Sequence, residues 1–190
     1  MKLTNVFRLA YILCRVLFIV IIPLAIFSVL YHVAYLFYPN STFAASFGEF
    51  EPLFSFLTIE FQKQPAFYLN NDIIILSFIS TIAVLLLVLF SLRILDKLFQ
   101  NIYNRSLFIN KNVSLFYQLG STVLVLGSIF SYLDGLLFDK TIEALNITNA
   151  TVSFSNVSYV DPIITGIICL MIGAALRVAV QAVEENKYTI

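Results

Sequence analysis

Residues 73–92 read IIILSFISTIAVLLLVLFSL, twenty consecutive positions without a charge. A helix of that length extends about 30 Å, which matches the hydrocarbon core of a bilayer. Three further stretches are similarly apolar, at 16–37, 115–133 and 163–183. Of all residues, 60% are hydrophobic and 12% are charged, whereas about 25% are charged in soluble domains. The sequence therefore predicts an all-α membrane protein, a bundle of four transmembrane helices that forms one domain over residues 1–190.

The apolar stretches and their flanks define the expected segments. The first run is longer than the 7–15 apolar residues of a signal peptide, so we interpret it as a retained anchor rather than a cleaved signal. Helical spacing of apolar residues continues after the second span and predicts an amphipathic extension to residue 103. We expect spans at about 12–37, 73–93, 114–134 and 162–183, outer loops at 38–72 and 135–161, a cytoplasmic turn at 104–113 and a cytoplasmic tail at 184–190.

Basic residues indicate the orientation. Nine of the eleven lie in the N-terminal segment, the middle loop and the C-terminal end, and only Lys63 and Lys140 lie in the other two loops. Because basic residues concentrate in cytoplasmic loops, we expect both termini and the middle loop to be cytoplasmic. The net charge of zero provides no basic field for nucleic acid, so we expect no direct nucleic-acid binding.

The two outer loops contain short alternating patterns. Residues 57–62 (LTIEFQ) and 151–155 (TVSFS) alternate apolar with polar, the period of a half-buried strand. One interpretation is a small extracytoplasmic β cap built from both loops. The other is that the many aromatic side chains of the first loop lie among the lipid headgroups.

Few residues could carry chemistry. Arg177 lies about four turns into the fourth span, and we expect its side chain to extend to the headgroups; the alternative is an interhelical contact, for example to Asp96. His32 lies near the outer end of the first span and is interpreted as an interfacial histidine, with a pH-sensing role as the alternative. It is the only histidine, and the scattered Ser and Thr residues have no base beside them. We therefore expect no catalytic residue, no metal and no cofactor.

Glycines predict how the last two spans pack. Gly120 and Gly127 are seven residues apart, as are Gly166 and Gly173, so each pair marks one helix face. Glycine allows helix backbones to approach closely in lipid. The two spans run antiparallel, and we expect Gly127 to face Gly173. At the start of the third span, Asn110, Asn112 or Ser114 could cap the helix.

Two segments resemble a known family. The middle loop reads LFQNIYNRSLF at 98–108, followed by Asn112 and by LFYQLG at 115–120, and the C-terminus reads RVAVQAVEENKYTI at 177–190. Together they resemble the bacterial family of four-helix membrane proteins catalogued as domain of unknown function 2975, over roughly residues 75–190. Leu107-Phe108 stands where the family commonly has Pro-Phe, Tyr188 stands where it commonly has Leu, and two glycines of the family pattern are absent.

The resemblance implies a protein of the bacterial inner membrane without established enzymatic activity. Genes of the family often lie beside a small helix-turn-helix regulator, which implies a membrane partner or antagonist of a transcription factor. The implied contact residues are Arg105, Phe108, Lys111, Glu184, Glu185 and Lys187.

Two hypotheses follow. The first is a non-enzymatic regulatory or scaffolding membrane protein, whose partners are the lipid bilayer, a cytoplasmic regulator and, as an open question, a second copy of the chain. The second is a small transporter or channel subunit with a polar path lined by serines, threonines and Arg177. Because the apolar spans lack acidic residues at depth, the sequence favours the first.

Overall fold

The computed structural model describes residues 3–54, 65–104, 106–144 and 160–188. Within them the chain is all-α, and four helical stretches are long and apolar enough to cross a membrane. The predicted fold class is therefore confirmed. The segments predicted as strands, 57–62 and 151–155, lie outside the described residues.

The helices are longer than the apolar stretches that predicted them. Helix α3 runs without a break to Asn104, which includes the predicted amphipathic extension. The third span consists of α4, a π-helical turn at Val123–Gly127 and α5. The bounds are α1 Leu3–Phe37, α2 Thr42–Ala45, a 3-10 turn at Ala66–Leu69, α3 Asn71–Asn104, α4 Asn110–Thr122, α5 Ser128–Ala144 and α6 Val160–Tyr188.

The long helices pack in chain order. Helix α1 packs on α3, α3 packs on α4 and α5, and α6 packs on α4 and the π-helical turn. Among the described residues, α1 and α6 share no substantial interface, so they form the two edges of the bundle. We call the end where α1 begins and α6 ends the termini end, and the end where α3 begins the opposite end.

The outer surface of the edge helices is apolar. Leu9 and Leu24 of α1 are 62% and 59% exposed, and Met171 and Val178 of α6 are each 66% exposed. Water would oppose so much exposed hydrocarbon, whereas lipid chains accommodate it. The chain is a multi-pass membrane protein.

Helices α4 and α6 approach closely at a glycine pair. A methyl carbon placed on Gly120 would lie 2.8 Å from the carbonyl oxygen of Gly166, so each glycine provides the space that the other backbone occupies. The predicted use of glycine for close helix contact is therefore found at this pair.

The other two glycines do not form the predicted pair. A methyl carbon on Gly127 would lie 2.7 Å from Pro162, and one on Gly173 would lie 3.2 Å from Phe116. The prediction that Gly127 faces Gly173 is wrong. A seven-residue spacing fixes the helix face but not the depth, and the two helices are displaced along their axes by about three turns from the predicted register.

The third span extends about ten residues past its predicted end at 134. Helix α5 places Leu137 and Thr141 in the interior, while Asp139, Lys140 and Glu143 are exposed. This periodicity keeps the helix amphipathic after its apolar stretch ends. Asp134, expected from the sequence as the last residue of the third span, is instead a buried residue in the interior of a helix.

The segment that follows α1 folds back over the opposite end. The Tyr35 hydroxyl donates to the carbonyl oxygen of Gly48, whose φ of +88° is in the left-handed region that favours glycine. The Tyr31 hydroxyl accepts a hydrogen bond from the backbone N–H of Glu51 at 2.8 Å. The apolar cluster that results contains Ala34, Tyr35, Ala44, Phe50, Tyr68, Ile73, Ile74 and Leu137.

Candidate functional site

The turn between α3 and α4 is organised by one buried amide. Asn112 is fully buried, and its Nδ2 donates to the carbonyl oxygens of Ser106 and Leu107 at 3.0 Å each, while its Oδ1 accepts from Asn101 at 2.9 Å. Helix α4 follows Ile109 without a side-chain cap. The expectation that a polar residue caps this helix is thus not met, because Asn112 bonds to the preceding turn instead.

This turn presents two apolar side chains to the surroundings. Leu107 is 37% exposed and Phe108 is 46% exposed. The backbone N–H of Phe108 donates to the Ser106 hydroxyl at 3.2 Å, and the Asn112 bonds hold the preceding carbonyls. Phe108 is therefore an exposed ring on an ordered turn at the termini end.

The C-terminal end of α6 is joined to the start of α4. The Asn110 side-chain amide donates to the Glu184 carboxylate at 3.1 Å. Lys111, Glu184 and Glu185 are exposed. The structure thus brings the predicted contact residues Phe108, Lys111 and Glu184 to one surface.

Two of the predicted contact residues are not described. Arg105 and the side chain of Lys187 lie outside the described part of the chain. We call the surface formed by Leu107, Phe108, Lys111, Glu184 and Glu185 the turn–tail surface.

A belt of exposed cations surrounds the termini half of the bundle. Arg15 forms an ion pair with Asp96 at 3.3 Å, so Asp96 is the partner of α1. Among the described residues, the contact to Asp96 that was considered for Arg177 is not found. The Arg93 guanidinium lies 5.9 Å from the centre of the Phe18 ring. We call the set Arg15, Arg93, Lys97, Lys111 and Arg177 the basic belt.

Two grooves flank the exposed face of α4 within this belt. The larger, of about 640 Å³, lies between α4 and α6 and includes Arg177. The smaller, of about 300 Å³, lies between α3 and α4 and includes Lys97 and Lys111. The side chains of Ser114 and Gln118 line both grooves.

No protein-family model, curated protein or solved structure matches this chain.

A buried hydrogen bond joins α1 and α3 near the opposite end. His32 is 2% exposed, and its Nε2 lies 3.1 Å from the Ser77 hydroxyl, while its Nδ1 lies 2.9 Å from the carbonyl oxygen of Ser28. The rings of Phe50 and Phe78 lie 5.7 and 5.4 Å from the imidazole. His32 is therefore an interior residue that links two helices, not the interfacial histidine that its position near a helix end indicated.

Further polar residues lie at nearly the same level in α5. Asp134 is 2% exposed and Ser131 is 7% exposed. Leu137, one turn from Asp134, packs in the same cluster as Ile74, which is one turn from Ser77. The sequence did not indicate this cluster, because Asp134 follows the apolar stretch and lies beside the charged residues of a presumed loop.

The side chains that α3 buries are partly polar toward the opposite end, where Ser77 bonds to His32, and apolar toward the termini end. Toward the termini end, Ile94 and Leu98 of α3 pack on Leu115 and Leu119 of α4.

Among the residues that the structure describes, no three His, Cys, Asp or Glu side chains are placed to hold a metal ion.

Proposed function

We propose that this chain is a non-enzymatic membrane protein of the bacterial inner membrane that docks a soluble cytoplasmic partner on its turn–tail surface. The main evidence for this proposal is the exposed ring of Phe108. An aromatic side chain on an ordered turn offers a large contact area at small entropic cost when it enters a partner's pocket. Lys111 and Glu184 are exposed on the same turn–tail surface, so this surface combines an apolar ring with charges of both signs, the pattern of an apolar centre with a polar rim.

The proposed orientation follows from the basic belt. All five of its members lie in the termini half, and the same end carries the turn–tail surface. Since basic residues are retained on the cytoplasmic side during insertion, both termini and this surface face the cytosol. A soluble cytosolic protein can then reach it.

The partner class comes from the family resemblance. We propose a small helix-turn-helix transcription regulator, which the membrane protein would hold at the membrane and away from its DNA sites. An acidic α6 end with Glu184 and Glu185 exposed suits the basic surface by which such regulators contact phosphates.

Capture of the partner tests this proposal. The tagged full-length chain is solubilised from membranes of its native host, and bound cytosolic proteins are identified by mass spectrometry for the natural sequence and for Phe108→Ser. The matched control is Phe43→Ser, because Phe43 is 43% exposed at the opposite end.

A small regulator that binds the natural protein and the Phe43 variant, but is at least ten-fold depleted with the Phe108 variant, supports the proposal. Equal recovery with both variants, or the absence of any such regulator, contradicts it.

A small transporter or channel subunit is the second candidate. The buried polar residues His32, Ser77 and Asp134 favour it, since buried polar groups at membrane depth often mark transport paths. The apolar contact between Ile94 and Leu119 opposes it in the termini half. Solute or ion flux into proteoliposomes that is lost in Ser77→Ala would establish this second function instead.

A further inference from the structure

The larger groove beside α4 has the polarity of an anion site. Hydroxyl and amide groups and the Arg177 side chain line it, together with the side chains of Val113 and Tyr117. None of the groove's described lining residues is acidic, but the Asn110 amide in the lining donates to the Glu184 carboxylate. Arg177 and the hydroxyl and amide groups of Ser114, Gln118 and Ser121 are the groups that remain for an anion. A guanidinium with neighbouring hydroxyl and amide donors is the group set that proteins use to bind phosphate.

The level of this groove is that of the basic belt. The Asn101–Asn112 hydrogen bond sets the register of α3 against α4, and Val113 packs with Leu176 and Val180 of α6. Arg177 is therefore level with the first turn of α4. Lipid phosphates lie at the level where exposed cations concentrate, so the groove opens toward a layer of headgroups.

The exposed face of the third span changes polarity along its axis. Ser114, Gln118 and Ser121 form its first part and are exposed. Val125 and Ile129, which continue at helical spacing, are 51% and 45% exposed. A phospholipid has this same order, with a polar headgroup followed by hydrocarbon chains.

We propose that the groove between α4 and α6 binds an anionic phospholipid, with its phosphate at Arg177 and its acyl chains along Val125 and Ile129. Free phosphate would use only the polar part and would leave the apolar continuation without a role. Lys111, on the other side of the shared Ser114 and Gln118, adds positive charge that favours anionic over zwitterionic headgroups. The site needs only a bilayer leaflet at this level, whichever side of the membrane the termini occupy.

Native mass spectrometry of the full-length protein tests the site. The detergent-solubilised protein is equilibrated with phosphatidylglycerol or with phosphatidylcholine, and lipid adducts are counted. The variants are Arg177→Gln, which removes the charge, and Arg177→Lys, which keeps it. Arg93→Gln is the matched control, because Arg93 belongs to the basic belt but not to the groove.

The expected result is a loss of anionic lipid that is confined to the variants that remove the Arg177 charge or the Gln118 amide. One cation near a headgroup changes affinity for an anionic lipid about five-fold. The Arg177→Gln protein should therefore carry about five-fold fewer phosphatidylglycerol adducts than the natural protein. Arg93→Gln and Arg177→Lys should remain near the natural protein, and phosphatidylcholine adducts should not change. Circular dichroism confirms that each variant is folded. Gln118→Leu, at an exposed position of the groove lining, removes one neutral hydrogen-bond donor and is a second lining variant with an expected loss of about three-fold.

Three results would overturn the proposal. One is phosphatidylglycerol binding by both lining variants at the level of the natural protein. Another is an equal loss in the Arg93 control, which would indicate attraction by the whole belt. The third is displacement of the lipid by millimolar inorganic phosphate, which would identify a free-phosphate site.

Discussion

Gly120 and Gly166 lie in direct backbone contact across α4 and α6. A methyl carbon on Gly120 would approach the Gly166 carbonyl oxygen to 2.8 Å, and one on Gly166 would approach the Gly120 carbonyl oxygen to 2.9 Å. Because each added carbon would meet a carbonyl oxygen of the opposite backbone, a rotamer change of the neighbouring side chains cannot relieve the whole clash. This contact sets the distance between the last two spans, and with it the width of the groove that contains Arg177.

The first prediction concerns Gly166→Ala. Overpacking costs about 1–3 kcal/mol, and Gly166 lies in the upper part of that range because the added carbon would lie 2.7 Å from the Leu124 Cβ and 2.9 Å from two backbone atoms. The gain of about 1 kcal/mol in helix propensity offsets part of this cost. We expect the free energy of unfolding to fall by roughly 1–2 kcal/mol, measured by denaturant titration in mixed micelles with circular dichroism. In the control Gly173→Ala the nearest contact is 3.2 Å, so its stability should change little. A Gly166 variant as stable as the natural protein would contradict the close contact.

The second prediction concerns the bond between His32 and Ser77. Ser77→Ala leaves a buried imidazole nitrogen without its partner, which costs about 1–3 kcal/mol. A double-mutant cycle with His32→Phe, measured by the same unfolding titration, should give a coupling free energy above about 0.5 kcal/mol. Ser80→Ala, one turn further along α3, leaves the His32–Ser77 bond intact and should show no such coupling with His32→Phe. Additive effects of the Ser77 and His32 changes would refute the bond.

The third prediction concerns Asn112. Asn112→Leu removes three hydrogen bonds around the turn and should lower the free energy of unfolding by about 2–4 kcal/mol. Asn101→Leu removes only one of them and should have a clearly smaller effect, measured by the same denaturant titration. Partner capture through Phe108 should weaken in parallel, since the turn would lose its order. Equal destabilisation by the two leucine substitutions would argue against the central role of Asn112.

The fourth prediction concerns alkaline pH. Burial raises the pKa of Tyr68 to about 12, with a further contribution from the Glu51 carboxylate. The folded protein therefore holds this proton where the unfolded chain, with a pKa near 10, releases it. The corresponding stability is present below pH 10 and is lost as the pH rises through the folded pKa. In Tyr68→Phe, stability should fall less steeply between pH 10 and 11 than in the natural protein, and identical slopes would contradict the burial of this hydroxyl.

Much of the fold could be predicted from the sequence, because a helix must have a minimum apolar length to cross the lipid bilayer. A run such as residues 73–92 must cross as a helix, whatever its neighbours are. The continuation of α3 was equally visible, since Leu95, Leu98 and Ile102 recur at helical spacing. The end of the third span could not be predicted in this way. The charges of Asp139 and Lys140 end the apolar run, whereas Leu137 and Thr141 continue to pack the helix against the bundle.

Local sequence patterns could not predict the register between the helices or the burial of individual side chains. Gly120 could be assigned to a packing face, but its partner depended on the axial displacement between helices, which packing over many residues determines. His32 looked interfacial because burial depends on residues 42–51 folding back over it, a long-range event. The partner surface was predicted from the polar, patterned cytoplasmic turn and tail together with a family resemblance, and the structure adds the contact between Asn110 and Glu184 that joins its two halves.

The location of the two termini tests the proposed membrane topology most directly. The full-length chain is fused before Met1 or after Ile190 to green fluorescent protein, which fluoresces only in the cytoplasm, or to alkaline phosphatase, which is active only outside it. The account predicts fluorescence from both fusion sites and no phosphatase activity from either. Phosphatase activity at either terminus, or a fusion protein that remains in solution after the membranes are removed, would contradict four crossings with the basic belt in the cytoplasm.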